Sequence, residues 1–206
     1  FVTNIGLADN GASIHLRITN ETEYRAWRSR QNGVKRDGGS QWPFVAVNLL
    51  GPRPIGDPFH WHEELTWCQL RYTFIAGSNA DGVLAGEPLT IARTYLTFYD
   101  FDSGRSQIDG SVPAVEVMQL GPQAASLVLP NVTEIRQLSQ QDFIANLSAS
   151  ARAMANTMPT VWSSTVNYAS QYGIGDDNPA DGYQLTELQQ RRSIMVLYED
   201  TSSFQL

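Results

Sequence analysis

Ser13-Ile14-His15-Leu16-Arg17-Ile18-Thr19 alternates polar and apolar residues along its whole length, with Ile14, Leu16 and Ile18 in register with one another. Successive side chains of an extended chain point to opposite faces, so a period of two predicts a strand with one buried face. The pattern recurs. Cys68 to Ile75 alternates, with Leu70, Tyr72 and Phe74 inward, and Val115 to Leu120 alternates again. Phe44 to Leu50 is a mostly apolar strand ended by Gly51-Pro52, and Leu89 to Phe101 is a long run rich in Thr, Tyr and Phe. Ala125 to Leu129 and Thr133 to Leu138 read as a strand pair around Pro130-Asn131. Thr160 to Tyr168 and Ser193 to Tyr198 complete a set of about nine strands.

Turn residues separate these runs, as in Gly77-Ser78-Asn79-Ala80-Asp81-Gly82, and no strand–helix–strand rhythm links them. The expected fold is therefore all-β in the main, an antiparallel sandwich or jelly roll forming one domain over residues 1–206. One short helix is expected near the C terminus, in Leu185-Thr186-Glu187-Leu188-Gln189-Gln190-Arg191-Arg192. Thr186 and Gln189 have the spacing of a capping box, and two arginines fall in the last turn, where the helix dipole favours cations. Phe143 to Met158 repeats apolar residues at intervals of three and four and reads either as a helix or as a long polar strand. Arg28 to Gln41 and Pro52 to Glu64 read as long loops, the first of them mobile.

Composition narrows the function. Charged residues make up 17% of the 206, below the quarter or so of an ordinary soluble domain. The formal net charge of −7, from 14 basic and 21 acidic residues, opposes binding to nucleic acid or to anionic lipid. No apolar run is long enough to span a membrane, so membrane insertion is not expected. The chain opens on Phe1 with neither Met nor a leader-like segment, as a processed chain or fragment does. Asn20-Glu21-Thr22, Asn131-Val132-Thr133 and Asn146-Leu147-Ser148 are sequons, so glycans are expected on Asn20, Asn131 and Asn146 and the expected compartment is extracellular.

Few residues are suited to catalysis. Cys68 is the single cysteine and is expected as a buried, unreactive thiol. His60-Trp61-His62-Glu63-Glu64 would place two imidazoles on one face of a strand, but a zinc site needs a third ligand and His15 is the remaining histidine. No Gly-x-Ser-x-Gly elbow occurs. The acidic cluster carries more. Asp100 and Asp102 lie two apart at the end of an aromatic strand and can project from one face, with Asp109 and Glu116 near in the chain. Calcium takes several oxygen ligands of this kind, so Asp100, Asp102, Asp109 and Glu116 form the candidate calcium site. The loop Gly175-Asp176-Asp177-Asn178-Pro179-Ala180-Asp181-Gly182 adds acidic side chains without EF-hand spacing. Each of Trp27, Trp42, Trp61, Trp67 and Trp162 is expected in a packing role, with Trp27 and Trp42, which flank a polar segment, the pair nearest to exposure.

Tyr95-Leu96-Thr97-Phe98-Tyr99-Asp100-Phe101-Asp102-Ser103-Gly104, followed by an acidic strand at Glu116, resembles one signature of an uncharacterised domain of secreted and cell-surface proteins in unicellular algae and related protists. Asn178-Pro179, Leu185-Thr186, Gln190-Arg191-Arg192-Ser193-Ile194 and Thr201-Ser202-Ser203-Phe204 are similar to its closing segment. Ile18-Thr19-Asn20 with Tyr24, and Val47-Asn48-Leu49-Leu50-Gly51, match its early part. The resemblance covers most of the chain, departs from the pattern in Phe143 to Met158, and implies an extracellular β-sandwich without an assigned enzymatic role. The expected function is a non-enzymatic structural module of a coat, fibre or surface appendage, associating with itself or with other extracellular structural proteins. The alternative is a calcium-dependent glycan-binding module.

Overall fold

The computed structural model describes residues 1–9, 11–24, 26, 33–35, 44–47, 67–79, 83–101, 103–104, 114–115, 117–139, 141, 160–164, 179 and 184–206. In chain order the elements are β1 (Val2–Leu7), β2 (Ser13–Asn20), β3 (Gly33–Lys35), β4 (Phe44–Ala46), β5 (Leu70–Ala76), β6 (Ile91–Phe98), β7 (Ser103–Gly104), β8 (Ala114–Val115), β9 (Val117–Leu120), β10 (Ala124–Val128), β11 (Ile135–Leu138) and β12 (Thr160–Ser164). Helix α1 (Glu187–Arg191), β13 (Ile194–Thr201) and β14 (Ser203–Gln205) follow. The strands pair antiparallel in a four-stranded sheet β1-β2-β5-β14, two three-stranded sheets β10-β13-β6 and β11-β12-β9, and two small ribbons, β3-β4 and β7-β8.

The deciding stretch behaves as its period requires. In β2, Ile14 and Leu16 are buried and Ile18 half-buried, and the strand pairs with β5 from Ile14↔Ala76 to Asn20↔Leu70. On β5, strict alternation fails: Tyr72, Thr73, Phe74, Ile75 and Ala76 are all buried. A central strand explains this. β5 lies between β2 and β14, and beyond β14 it is joined by residues 87–89, where the Leu89 amide donates to the Phe74 carbonyl and the Ala76 amide to the Glu87 carbonyl.

The sheets meet at a corner. β13 runs in one sheet and its continuation β14 in another, while residues 87–89 and β6 make the same passage beside them. Such corners need a local bend. Asp200 supplies it with a φ of 45°, in the left-handed region that aspartate tolerates better than most residues. The Thr201 hydroxyl then donates to the Ser203 carbonyl at 2.7 Å and accepts from the Ser203 amide at 3.3 Å. The Phe74 amide donates to the Ser202 carbonyl at 2.9 Å, which docks the bend on β5.

One core serves all three larger sheets. Leu16, Phe74 and Phe204 come from the first, Ile194, Val196 and Tyr198 from the second, and Leu120, Ile135 and Trp162 from the third. Phe204 sits at the centre. Its ring stacks on Tyr72 at 4.8 Å and on Tyr198 at 4.0 Å, so it joins β5 to β13 across the corner.

Helix α1 forms as its sequence directs. The Thr186 side chain accepts from the Gln189 amide, and the Gln189 side chain accepts from the Thr186 amide, completing the capping box. The C-terminal end of α1 is fixed from outside: the Arg191 carbonyl accepts from the Glu134 amide and the Thr133 hydroxyl, and the Arg192 carbonyl accepts from the Phe101 amide. Arg192 is buried, and its Nε donates to Glu134 Oε2 at 2.9 Å.

Three expectations need correction. Residues 125–129 and 133–138 do form strands, but not a pair with each other: β10 joins β13, and β11 joins β12. Pro130 lacks an amide for a ladder, and Thr133 and Glu134 are held by the end of α1, so the chain is diverted to another sheet. Within residues 28–41, expected as a loop, Gly33–Lys35 pairs with Phe44–Ala46. The run from Leu89 to Phe101 is not one strand either. β6 stops at Phe98, and Asp100 has a φ of 67°. Residues 143–158 lie outside the described residues.

Candidate functional site

The outer face of the β10-β13-β6 sheet follows from the alternation of β13. Ile194, Val196 and Tyr198 enter the core, which turns Met195, Leu197 and Glu199 outward. Across the sheet, Met195 lies between Val128 and Thr97, Leu197 lies between Ser126 and Tyr95, and Glu199 lies opposite Arg93. Two rows of mainly uncharged side chains result. Tyr95 is 51% exposed, Val128 49% and Met195 36%, which is much apolar surface for one small sheet. At the end of the rows, Arg93 donates to Glu199 Oε1 from Nη2 at 2.6 Å and from Nε at 2.9 Å. β10 and β6 are the two edges of this sheet among the described residues. A shallow depression of about 350 Å³, lined by residues of the β9–β10 turn such as Leu120, Pro122 and Leu127, lies nearby in the chain and carries no ionisable side chain.

Of the expected calcium ligands, the described residues include Asp100. Its left-handed backbone interrupts the strand alternation that was to carry it and Asp102 to one face. Asp102, Asp109 and Glu116 lie outside the described residues, as do His60, His62, Trp27, Trp42, Trp61 and the acidic residues of 175–182. Among the described residues, no three His, Cys, Asp or Glu side chains gather where they could hold a metal ion. Asn20, at the end of β2, and Asn131, between β10 and β11, are both exposed. Asn20 Nδ2 donates to the Thr22 carbonyl at 3.2 Å. Asn146 lies outside the described residues.

Trp162 is buried on β12 and Trp67 is half-buried beside β5. The Trp162 indole N–H and the Tyr198 hydroxyl are buried and have no hydrogen-bond partner among the described residues. Burial, with Tyr72 beside it, raises the Tyr198 pKa above the usual phenol range.

Two ion pairs join neighbouring segments on the surface, Arg71 with Glu21 and Arg93 with Glu199. Glu21 accepts from Arg71 Nε at 3.0 Å and Nη2 at 3.2 Å, and this hydrogen bonding holds its carboxyl below the usual carboxylate value. A lowered folded-state pKa means that the pair stabilises at neutral pH and ceases to do so as pH falls through that lowered value. Both partners are solvated, so the contribution is small.

Cys68 is half-buried ahead of β5, and burial pushes its thiol from 9.0 up to about 11. A native thiol at pH 8 then has roughly 100-fold less thiolate than an unfolded one. The more basic sulfur is also the better nucleophile, which offsets about half of that on a logarithmic scale. Reaction with an aromatic disulfide reagent is therefore expected to be about tenfold slower in the native chain than in urea. Equal rates would show that Cys68 is not shielded.

The fold defines a class: among the described residues, mainly antiparallel β-sheets with a short helix near the C terminus and a hydrophobic core to which the three larger sheets contribute. Comparison with protein-family models, with curated proteins and with solved structures found no match to this chain. No helix among the described residues is long and apolar enough to cross a membrane.

Proposed function

We propose that this chain is a non-enzymatic structural module of an extracellular assembly, such as a coat, fibre or surface appendage, with its sheets closed as one sandwich. The observation that carries this reading is the outer face of β10-β13-β6, where Tyr95, Val128 and Met195 stand exposed in rows that hold no charge until Arg93 and Glu199. Apolar surface of this kind is buried when copies associate. The low charge content of the whole chain agrees with it. Exposed Asn20 and Asn131 suit glycosylation outside the cell, with Asn146 as a third acceptor. The likeness to the secreted algal and protist domain supports the same compartment.

Sedimentation velocity at micromolar concentration tests the reading. Wild type is expected to associate, and the double variant Tyr95→Lys, Met195→Lys to sediment as a monomer with an unchanged unfolding midpoint. A wild-type chain that is monomeric throughout and joins no larger particle argues against the proposal.

A further inference from the structure

Among the described residues β1 is an edge strand, and its ladder is interrupted. From Val2 to Gly6 it advances four residues while β2 advances two, from Leu16 to Ile14. Asn4 occupies the middle of this bulge with a φ of 56°, a conformation Asn adopts more readily than most residues. Its amide donates to Nδ1 of His15 on β2 at 3.1 Å. The ring is seated as well as bonded. A Cβ on Gly77 would collide with the His15 ring and the Ser13 hydroxyl, so glycine makes room for the imidazole, and the Gly77 amide donates to the Ser13 carbonyl at 2.7 Å.

This geometry fixes the chemical state of the ring. Nδ1 accepts only with its lone pair available, which places the proton of the neutral ring on Nε2. An imidazolium carries N–H at both nitrogens and would oppose the Asn4 amide with a second donor. Histidine is the side chain whose charge ordinarily changes nearest neutrality. We propose that His15 is a proton-operated latch on the edge strand: the neutral ring holds the Asn4 bulge of β1 against β2, and protonation releases it. The release is local to the bulge, with the pairs Val2↔Leu16, Gly6↔Ile14 and Leu7↔Ser13 still holding β1 on β2. The inference rests on the bulge and its hydrogen bond and does not depend on the assembly reading.

Among the described residues, the groups around the ring are few. β1 brings no ionisable side chain, and the turn into β2 brings Asp9. β2 carries Arg17 two residues further along the same face. β5 places Ile75 opposite His15, and its own cation, Arg71, is engaged with Glu21. The segment Gly77-Ser78-Asn79 has no ionisable group.

Nitrogen-15 NMR on the intact chain tests the latch. At neutral pH the His15 ring is expected as the Nε2–H tautomer. As His15 titrates, exchange of the Asn4 amide, corrected for its intrinsic pH dependence, is expected to quicken by roughly three- to tenfold, the scale of one hydrogen bond. The Val196 amide in the core is expected not to respond. In His15→Phe, Asn4 exchange is expected to be fast and free of that step. An Nδ1–H tautomer at neutral pH, an Asn4 amide indifferent to the His15 titration, or a step that survives in His15→Phe each overturns the proposal, and the first two need no variant.

Discussion

Phe204→Ala is expected to destabilise the domain by about 3–5 kcal/mol in urea unfolding, the range for removing a buried aromatic ring. Phe204 is 1% exposed and belongs to a strand of three residues, so little of its effect comes from the β14 ladder itself. Its weight comes from position. The ring is stacked on Tyr72 of β5 and Tyr198 of β13, with Phe74 tilted against it at 6.0 Å. Stacked aromatic pairs add roughly 0.5–1.5 kcal/mol beyond the area they bury. Alanine would leave a cavity where two sheets meet. Leu84→Ala, at a site 63% exposed, is the control and is expected to change stability by less than about 0.5 kcal/mol. Similar losses from the two substitutions would mean that the shared core is misassigned.

The second large effect is expected at Glu134 and Arg192. The Arg192 side chain is 4% exposed and that of Glu134 20%, and their bond ties the end of α1 to the start of β11. Removing one member of a buried pair typically costs about 3–5 kcal/mol, because the other charge stays buried without its partner. Glu134→Ala removes the carboxylate from the more deeply buried group and is expected at the upper end of that range. Arg192→Met leaves a carboxylate that reaches water and is expected at the lower end. The combination Glu134→Leu, Arg192→Met removes both charges and is expected to recover much of the loss. Single substitutions that each cost under about 1 kcal/mol would place the pair in solvent instead.

How much of this was legible in the sequence follows from how the chain encodes it. β2 and β13 bury one face each, and period two announced them. The capping box of α1 is a local signal, readable from Thr186 and Gln189 alone. β1 was not legible, because two additional residues around Asn4 break the period that identifies a strand. β14 was not legible because three residues are too short for any period, and it exists as a continuation of β13 around Asp200. The pairing of β10 with β13 is long-range, whereas the sequence suggested the nearer partner. The candidate site was the least legible part. Exposed Tyr95, Val128 and Met195 are ordinary strand residues in the sequence, and only register brings them to one face. The acidic motif at Asp100 was conspicuous in the sequence, yet its backbone leaves the strand before Asp102 is reached.

The most direct test of the central claim is a density map of this chain in its native particle. A neighbouring subunit is expected packed on the outer face of β10-β13-β6, over Tyr95 and Met195, with glycan density at Asn20 and Asn131. A map in which that face meets only solvent, or in which the chain forms no part of a larger particle, would contradict it.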